Sequence, residues 1–290
     1  MAVALDNYLE DTRISQADLS KKIGVSPSYL THARKREWSW QNGLNKDKTP
    51  RYTEFSMSIA KQIMVFLGLD EMVWEIDNYQ EIIATLTEAK KFHEHRIIDG
   101  KKGTGKTKAA NIFKKRHPVN TFIVTCSEDM NPKALMIDIA EKIGAESVGD
   151  RRKIRIAIQK KLKTMAYPQI IFDECENLRP ASYGSVKALY DEVFEYCSLV
   201  LMGANNYYKK LKKLAEADKG CFPQILSRFN SEPVFLSIMT WDDALSIFPL
   251  YDISDRGTQR RIFDNSSDFR ELERNIQRHL RDSQLLQEAA

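Results

Sequence analysis

Three glycines, a lysine and a threonine crowd into residues 100–107, Gly-Lys-Lys-Gly-Thr-Gly-Lys-Thr. The run fits G-x-x-x-x-G-K-[ST], a loop that wraps phosphates. Gly100, Gly103 and Gly105 let the backbone turn its N–H groups onto an anion, with Thr104 in the same cradle. Lys106 sets a cation on the β- and γ-phosphates, and the Thr107 hydroxyl ligates Mg²⁺. A helix follows from Lys108, and its positive end adds to anion binding. ATP and Mg²⁺ are the cofactors this pattern predicts.

Such a site needs an acid at the end of a second strand. Residues 168–174, Pro-Gln-Ile-Ile-Phe-Asp-Glu, supply it. The apolar run reads as a buried parallel strand, with Asp173 at its carboxyl end, where open α/β sheets bind ligands. Asp173 is expected to hold Mg²⁺ through water, and Glu174 to polarise the attacking water. A further strand, Ser198–Met202, runs into Gly203-Ala-Asn-Asn. A polar side chain there is placed to meet the γ-phosphate or the lytic water. Asn205 and Asn206 both qualify, and both also suit a plain turn.

The elements before this site read differently. Leu19 and Ile23 share a helix face, and Gly24 breaks that helix. Ser26 then caps a second helix that opens on Pro27, with Leu30 and Ala33 facing inward. The pattern predicts a helix-turn-helix, whose second helix enters the major groove of double-stranded DNA. Ser28, Tyr29, Thr31, His32 and Lys35 are the outward candidates. Lys21, Lys22, Arg34 and Arg36 are expected at phosphates. Residues 38–52 read as a loop or short linker, and Ile59, Ile63 and Phe66 predict a closing helix.

The 290 residues carry 44 Lys+Arg against 40 Asp+Glu, a formal charge of only +4. Residues 99–168 alone hold 16 basic against 7 acidic residues, so the positive excess is local. Arg151, Arg152 and Lys153 open a helix whose apolar face is Ile154, Ile158 and Leu162. Cations at a helix amino terminus oppose its dipole, so a partner anion is expected there. No apolar run approaches the length of a membrane span, and residues 1–15 do not read as a signal peptide. The four cysteines stand far apart, which argues against zinc and a disulfide framework and for reduced thiols in a cytoplasmic protein.

In order, these pieces resemble the AAA+ ATPases of DNA transposition, the phage Mu B family of target selectors. The phosphate loop, residues 170–178, residues 199–203 and Phe222-Pro-Gln-Ile-Leu-Ser-Arg-Phe229 carry the likeness, together with the leading helix-turn-helix. The resemblance implies an α/β AAA+ P-loop fold with a parallel sheet and a small helical lid, preceded by an all-α domain. It implies that Arg228 reaches a neighbouring subunit's ATP as an arginine finger. Arg270, in Ser267-Asp-Phe-Arg270, falls at the second sensor arginine. Residues 151–153 then face DNA in the channel of a ring or helical filament. Ala204 stands where the family has a polar residue, which displaces the first sensor to Asn205.

The organisation expected is a DNA-binding domain and linker over residues 1–70, an ATPase core over 71–235 and a helical lid over 236–290. The function implied is ATP-dependent, largely sequence-nonspecific DNA binding by a homo-oligomer that activates or directs a transposase. Two other readings fit the residues: a different DNA-remodelling ATPase, such as a replication initiator or helicase loader, and a DNA-binding regulator switched by ATP.

Overall fold

The computed structural model describes residues 1–37, 39–44, 49–67, 73–229 and 231–288. They form two compact units, Met1–Val73 with Ile112–Thr121, and Trp74–Asn111 with Phe122–Ala290. The chain passes from the first unit to the second between Val73 and Trp74. Residues 68–72 lie outside the described residues.

The first unit opens with α1 (Ala2–Thr12), α2 (Gln16–Ile23) and α3 (Pro27–Lys35). Ser15 caps α2, its hydroxyl accepting from the Asp18 N–H. Gly24 takes a φ of +79°, the left-handed conformation that lets the chain turn between α2 and α3. Leu19, Ile23, Leu30 and Ala33 are buried together with Leu5 and Ile63. Ser20 is buried too, as a small residue must be where two helices cross closely.

Residues 38–52 are not the loop expected from their Gly, Asn and Pro content. Ser39–Leu44 forms β1 and Pro50–Glu54 forms β2, an antiparallel hairpin pairing Trp40 with Thr53 and Gln41 with Tyr52. Trp40 on one arm and Tyr52 and Thr53 on the other favour that pairing, which turn composition alone hides. Trp38 and residues 45–48 lie outside the described residues. Then α4 (Met57–Phe66) packs Ile63 into the core, with Ile59 and Phe66 against it.

The second unit begins with α5 (Asp77–Phe92) and β3 (His95–Asp99), followed by the phosphate loop and α6 (Lys106–Arg116), whose end from Ile112 onward is grouped with the first unit. Next come β4 (Thr121–Thr125), α7 (Pro132–Ile143), α8 (Arg151–Lys163) and β5 (Gln169–Asp173). They lead into α9 (Tyr183–Val193), β6 (Ser198–Gly203), α10 (Tyr207–Glu216), α11 (Phe222–Arg228) and β7 (Ser231–Phe235). Three helices close the chain: α12 (Trp241–Ile247), α13 (Arg256–Asp264) and α14 (Phe269–Glu288).

The sheet runs β4-β5-β6-β3-β7. Strand β6 is parallel to both β3 and β5, and β7 is parallel to β3. Every residue of β5 and β6 is buried, which explains runs such as Gln-Ile-Ile-Phe-Asp without alternation. Ile154, Ile158 and Leu162 of α8 are fully buried in this core, as their four-residue spacing predicts. The order places the ends of β5, β6 and β3 side by side.

A second core holds the terminal helices. Ala244, Ile247, Phe248, Ile262, Phe269, Leu272 and Ile276 pack on one another and on Trp74 and Ile76. Residues just before α5 therefore belong to the helical lid's packing, although 160 residues and more separate them from it in the chain.

Candidate functional site: a phosphate loop facing two acids

The loop leaves β3 at Asp99, whose partner in register is Gly203 of β6. Gly103 and Gly105 adopt φ of +78° and +92°, conformations that side chains with a Cβ resist. At Gly103 a Cβ would also meet the Asp268 carboxylate at 2.1 Å. Asp268 itself begins α14, accepting the Glu271 N–H at 2.9 Å. The lid helix thus starts against the phosphate loop.

Lys106 is nearly buried, and its Nζ donates to Gly100 O at 2.7 Å, Lys101 O at 3.0 Å and Thr104 Oγ1 at 3.3 Å. Three acceptors from the loop hold the ammonium at its centre. Burial lowers its pKa, and the carboxylates of Glu176, Asp173 and Asp99 oppose that. Thr107 Oγ1 donates to Asp173 Oδ2 at 2.7 Å, joining the start of α6 to the end of β5. Burial raises the Asp173 pKa against that hydrogen bond and one from the Glu174 N–H. A hydroxyl and a carboxylate converging from two elements form the hard oxygen set that Mg²⁺ takes, alongside water and phosphate.

Glu174 follows in the left-handed conformation, φ 55°, which throws its side chain out of the strand. It is exposed and accepts from Asn177 Nδ2 at 3.3 Å. Lys106, Thr107, Asp173, Glu174 and Arg270 line one cavity of about 250 Å³ with Gly103, Thr104, Gly105 and Lys108. The phosphate loop, the strand acids and the lid arginine expected from the sequence are therefore brought together.

Asn205 is not. Asn205 and Asn206 both have positive φ and are exposed, and the cavity is lined at this strand end by Ala204. The Gly-Ala-Asn-Asn run turns the chain so that β6 ends before its polar side chains. Arg228 also lies apart from the cavity. Its Nε donates to Asp191 Oδ1 at 2.7 Å and its guanidinium lies 5.5 Å from the Tyr190 ring centre. Burial raises the Asp191 pKa, but hydrogen bonds from Arg228 and Lys187 outweigh it and the net shift is downward.

Several lining residues escape sequence reasoning. Glu176 sits in the turn after β5, with no periodicity to mark it, and accepts from Ala204 N–H at 2.9 Å. Trp74 lies just past the expected end of the first domain at residue 70, in no element the sequence marks. Its Nε1 donates to Tyr251 OH at 3.2 Å, and Lys108 Nζ stands 5.3 Å from its ring centre. Phe269 is 6.3 Å from Trp74, centre to centre, and Glu273 pairs with Lys108 at 2.7 Å. Only the aromatic character of residues 74 and 269 hints at a flat apolar wall.

In the first unit, Ser28 and Lys35 are exposed on α3, as expected. Tyr29 and His32 are not outward. Tyr29 packs edge-on to Trp40 and Phe55, and His32 stacks on Trp40 at 3.9 Å while Nδ1 meets Glu37 at 2.7 Å. The hairpin that turn composition hid claims that stripe of the helix. Thr31 Oγ1 accepts from Gln16 Nε2 at 2.7 Å, and Arg34 pairs with Asp6 and Gln16 rather than standing free. In the second unit, Arg151, Arg152 and Lys153 are exposed and make no ion pair among the described residues. Asp150 caps α8 by accepting the Lys153 N–H at 2.9 Å, which offsets part of the clash with the helix dipole.

A glycine loop, a buried lysine and a Thr–Asp pair joining the start of α6 to the end of a parallel strand define a P-loop nucleotide-binding protein. Residues 93–211 match the AAA domain family. Over 211 residues the chain is 26% identical to the Mu-like prophage FluMu DNA transposition protein B of Haemophilus influenzae, covering 72% of this chain and 70% of that one. Together these likenesses support a Mu B-like AAA+ ATPase. Among solved structures, it is similar to the Thermotoga maritima RuvB Holliday junction branch migration motor, at 17% identity and a TM-score of 0.45, covering 71% of this chain and 61% of that one. It is also similar to AMPPCP-bound DnaA from Aquifex aeolicus, at 14% identity and a TM-score of 0.49, covering 74% and 63%. The chain thus spans less than two thirds of the length of either structure. No helix among the described residues is long and apolar enough to cross a membrane.

Proposed function

We propose that this protein hydrolyses ATP to control its own assembly on double-stranded DNA in the cytoplasm, and that the assembly directs or activates a transposase. The observation that carries the ATP half is the 2.7 Å pair between Thr107 and Asp173 beside the buried Lys106. Lys106 neutralises charge on the β- and γ-phosphates, and Thr107 with Asp173 holds Mg²⁺, which when bound spreads the charge that builds on the transferring group. Hydrolysis joins a water oxygen to the γ-phosphorus and breaks that phosphorus's bond to the bridging oxygen. Glu174 accepts the proton from that water. Arg228, released from Asp191, stabilises the transferring group in a neighbouring subunit, and Arg270 does so from the lid.

The DNA half rests on the exposed cations. Ser28, Thr31 and Lys35 remain the α3 residues nearest to a groove, and Arg151, Arg152 and Lys153 meet the phosphate backbone. Backbone contacts of this kind give binding with little sequence preference. The transposase enters through the relative's name, a DNA transposition protein. The test is duplex binding with and without ATP. Binding should require ATP and be lost in Lys106→Ala; equal affinity in all three conditions would sink the coupling.

A further inference from the structure

Glu176 lies in the short turn Cys175–Asn177, three residues past Asp173. Its Oε2 accepts the Ala204 N–H at 2.9 Å, so the carboxylate bridges the ends of β5 and β6. The turn beneath it is fixed. Tyr183 OH bonds to Cys175 O at 2.9 Å and to Tyr207 OH at 3.0 Å, all in the buried core. A Cβ at Gly203 would strike the Tyr207 ring at 2.2 Å, so β6 ends on a glycine pressed against the same tyrosine. Glu176 therefore stands in a rigid frame, with one oxygen held and the carboxylate lining the cavity of Lys106 and Glu174.

What β6 contributes to that cavity is Ala204, a methyl group. Asn205 and Asn206, which follow it, do not line the cavity. An ionised carboxylate accepts hydrogen bonds and donates none. Beside a γ-phosphate it can hold a donor, such as the attacking water or the Lys106 ammonium, but not a phosphate oxygen. Burial depresses the Lys106 pKa, and Glu176 is the foremost of the carboxylates opposing that shift.

We propose that Glu176 is a second catalytic carboxylate, anchored to β6 by the Ala204 N–H, that orients the attacking water alongside Glu174. It fills from the β5 turn the place that a polar side chain of β6 leaves empty. This inference rests on the ATP-hydrolysis reading above. Two carboxylates accepting from the two O–H groups of one water turn its oxygen lone pairs toward phosphorus, while Glu174 takes the proton.

The test compares phosphate release and fluorescent ATP-analogue binding in the full chain for the wild type, Glu174→Gln, Glu176→Gln and Glu176→Ala. Glutamine keeps an oxygen for the Ala204 N–H and loses the charge. The expected result for Glu176→Gln is a kcat at least roughly tenfold lower, with nucleotide affinity within about threefold of wild type. Wild-type kcat in Glu176→Gln overturns the proposal, because Glu176 then only supports β6. Should that variant not fold, Glu176→Asp, which keeps the charge on a shorter arm, decides by the same two outcomes. A wild type that releases no phosphate overturns the hydrolysis reading itself. A wild type that is active and silenced by Glu174→Gln leaves that reading standing whatever Glu176 does.

Discussion

His95 opens β3 between the rings of Tyr190 and Phe229, and its Nδ1 accepts the Leu199 N–H at 3.3 Å. Burial brings its pKa down to about 4, so it stays neutral in the folded protein. Unfolded, it takes a proton below its ordinary value near 6.5. The unfolded chain therefore binds more protons between pH 6.5 and 4, and stability falls as pH falls through that window. The loss amounts to about 3 kcal/mol at its lower end, on the order of 1.4 kcal/mol per unit. Urea unfolding of His95→Gln against wild type should show this acid limb flattened; identical limbs would remove His95 as its source. Gly103 offers a second residue-scale test. With φ of +78° and the Asp268 carboxylate 2.1 Å from where a Cβ would stand, Gly103→Ala must move the loop or the start of α14. Nucleotide affinity should drop by at least about tenfold, since misplaced loop amides forfeit a charge-assisted hydrogen bond or more. Titration with a fluorescent ATP analogue measures it, and unchanged affinity counts against the loop as the phosphate site.

At the scale of elements, the hairpin β1–β2 has few means of standing alone, because an isolated two-stranded ribbon is marginal in water. Trp40 supplies the attachment by stacking on His32 and meeting Tyr29 and Phe55 edge-on. Trp40→Ala should cost the first unit roughly 2–4 kcal/mol. Hydrogen exchange should quicken in α3, β1 and β2 and stay unchanged in β5 and β6. Uniform protection would show that the hairpin is held by something else. The lid obeys similar packing logic. Trp74 and Ile76 precede α5 yet pack with Phe248, Phe269 and Leu272, so the wall of the ATP cavity is made from both ends of the unit.

For the whole molecule, what matters is where the charges end up. Arg228 sits on an ion pair with Asp191 and outside the cavity, so any role at ATP must be played in another subunit. Arg228→Ala and Glu174→Gln should each be inactive alone and regain phosphate release when mixed, one lending its arginine and the other its intact acid. Mixtures as inactive as their parts would leave Arg228 a local ion-pair residue. The exposed Arg151, Arg152 and Lys153 belong to the strongly basic stretch, and replacing all three with alanine should lower DNA affinity across sequences alike. The slope of log affinity against log salt should shrink by roughly 2–3, about one for each phosphate no longer neutralised. An unchanged slope would move the DNA-facing surface elsewhere.

The phosphate loop and Asp173-Glu174 were legible in the sequence because their chemistry is local. Glycines that must take positive φ, a lysine, a hydroxyl and an acid ending an apolar run are dictated by the backbone and by the phosphates they serve. The apolar face of α8 and the Gly24 turn were legible for the same reason, through periodicity and φ. The rest depended on neighbours remote in the chain. His32 and Tyr29 face inward because a hairpin formed 8 to 25 residues later lies on them. Asn205 misses the cavity because β6 ends early against Tyr207, and Glu176 enters it because the sheet order sets β5 beside β6. Trp74 becomes a cavity wall only once α14 returns to it. Local residue chemistry determined which groups act on phosphate; sheet order and long-range packing decided which others stand beside them.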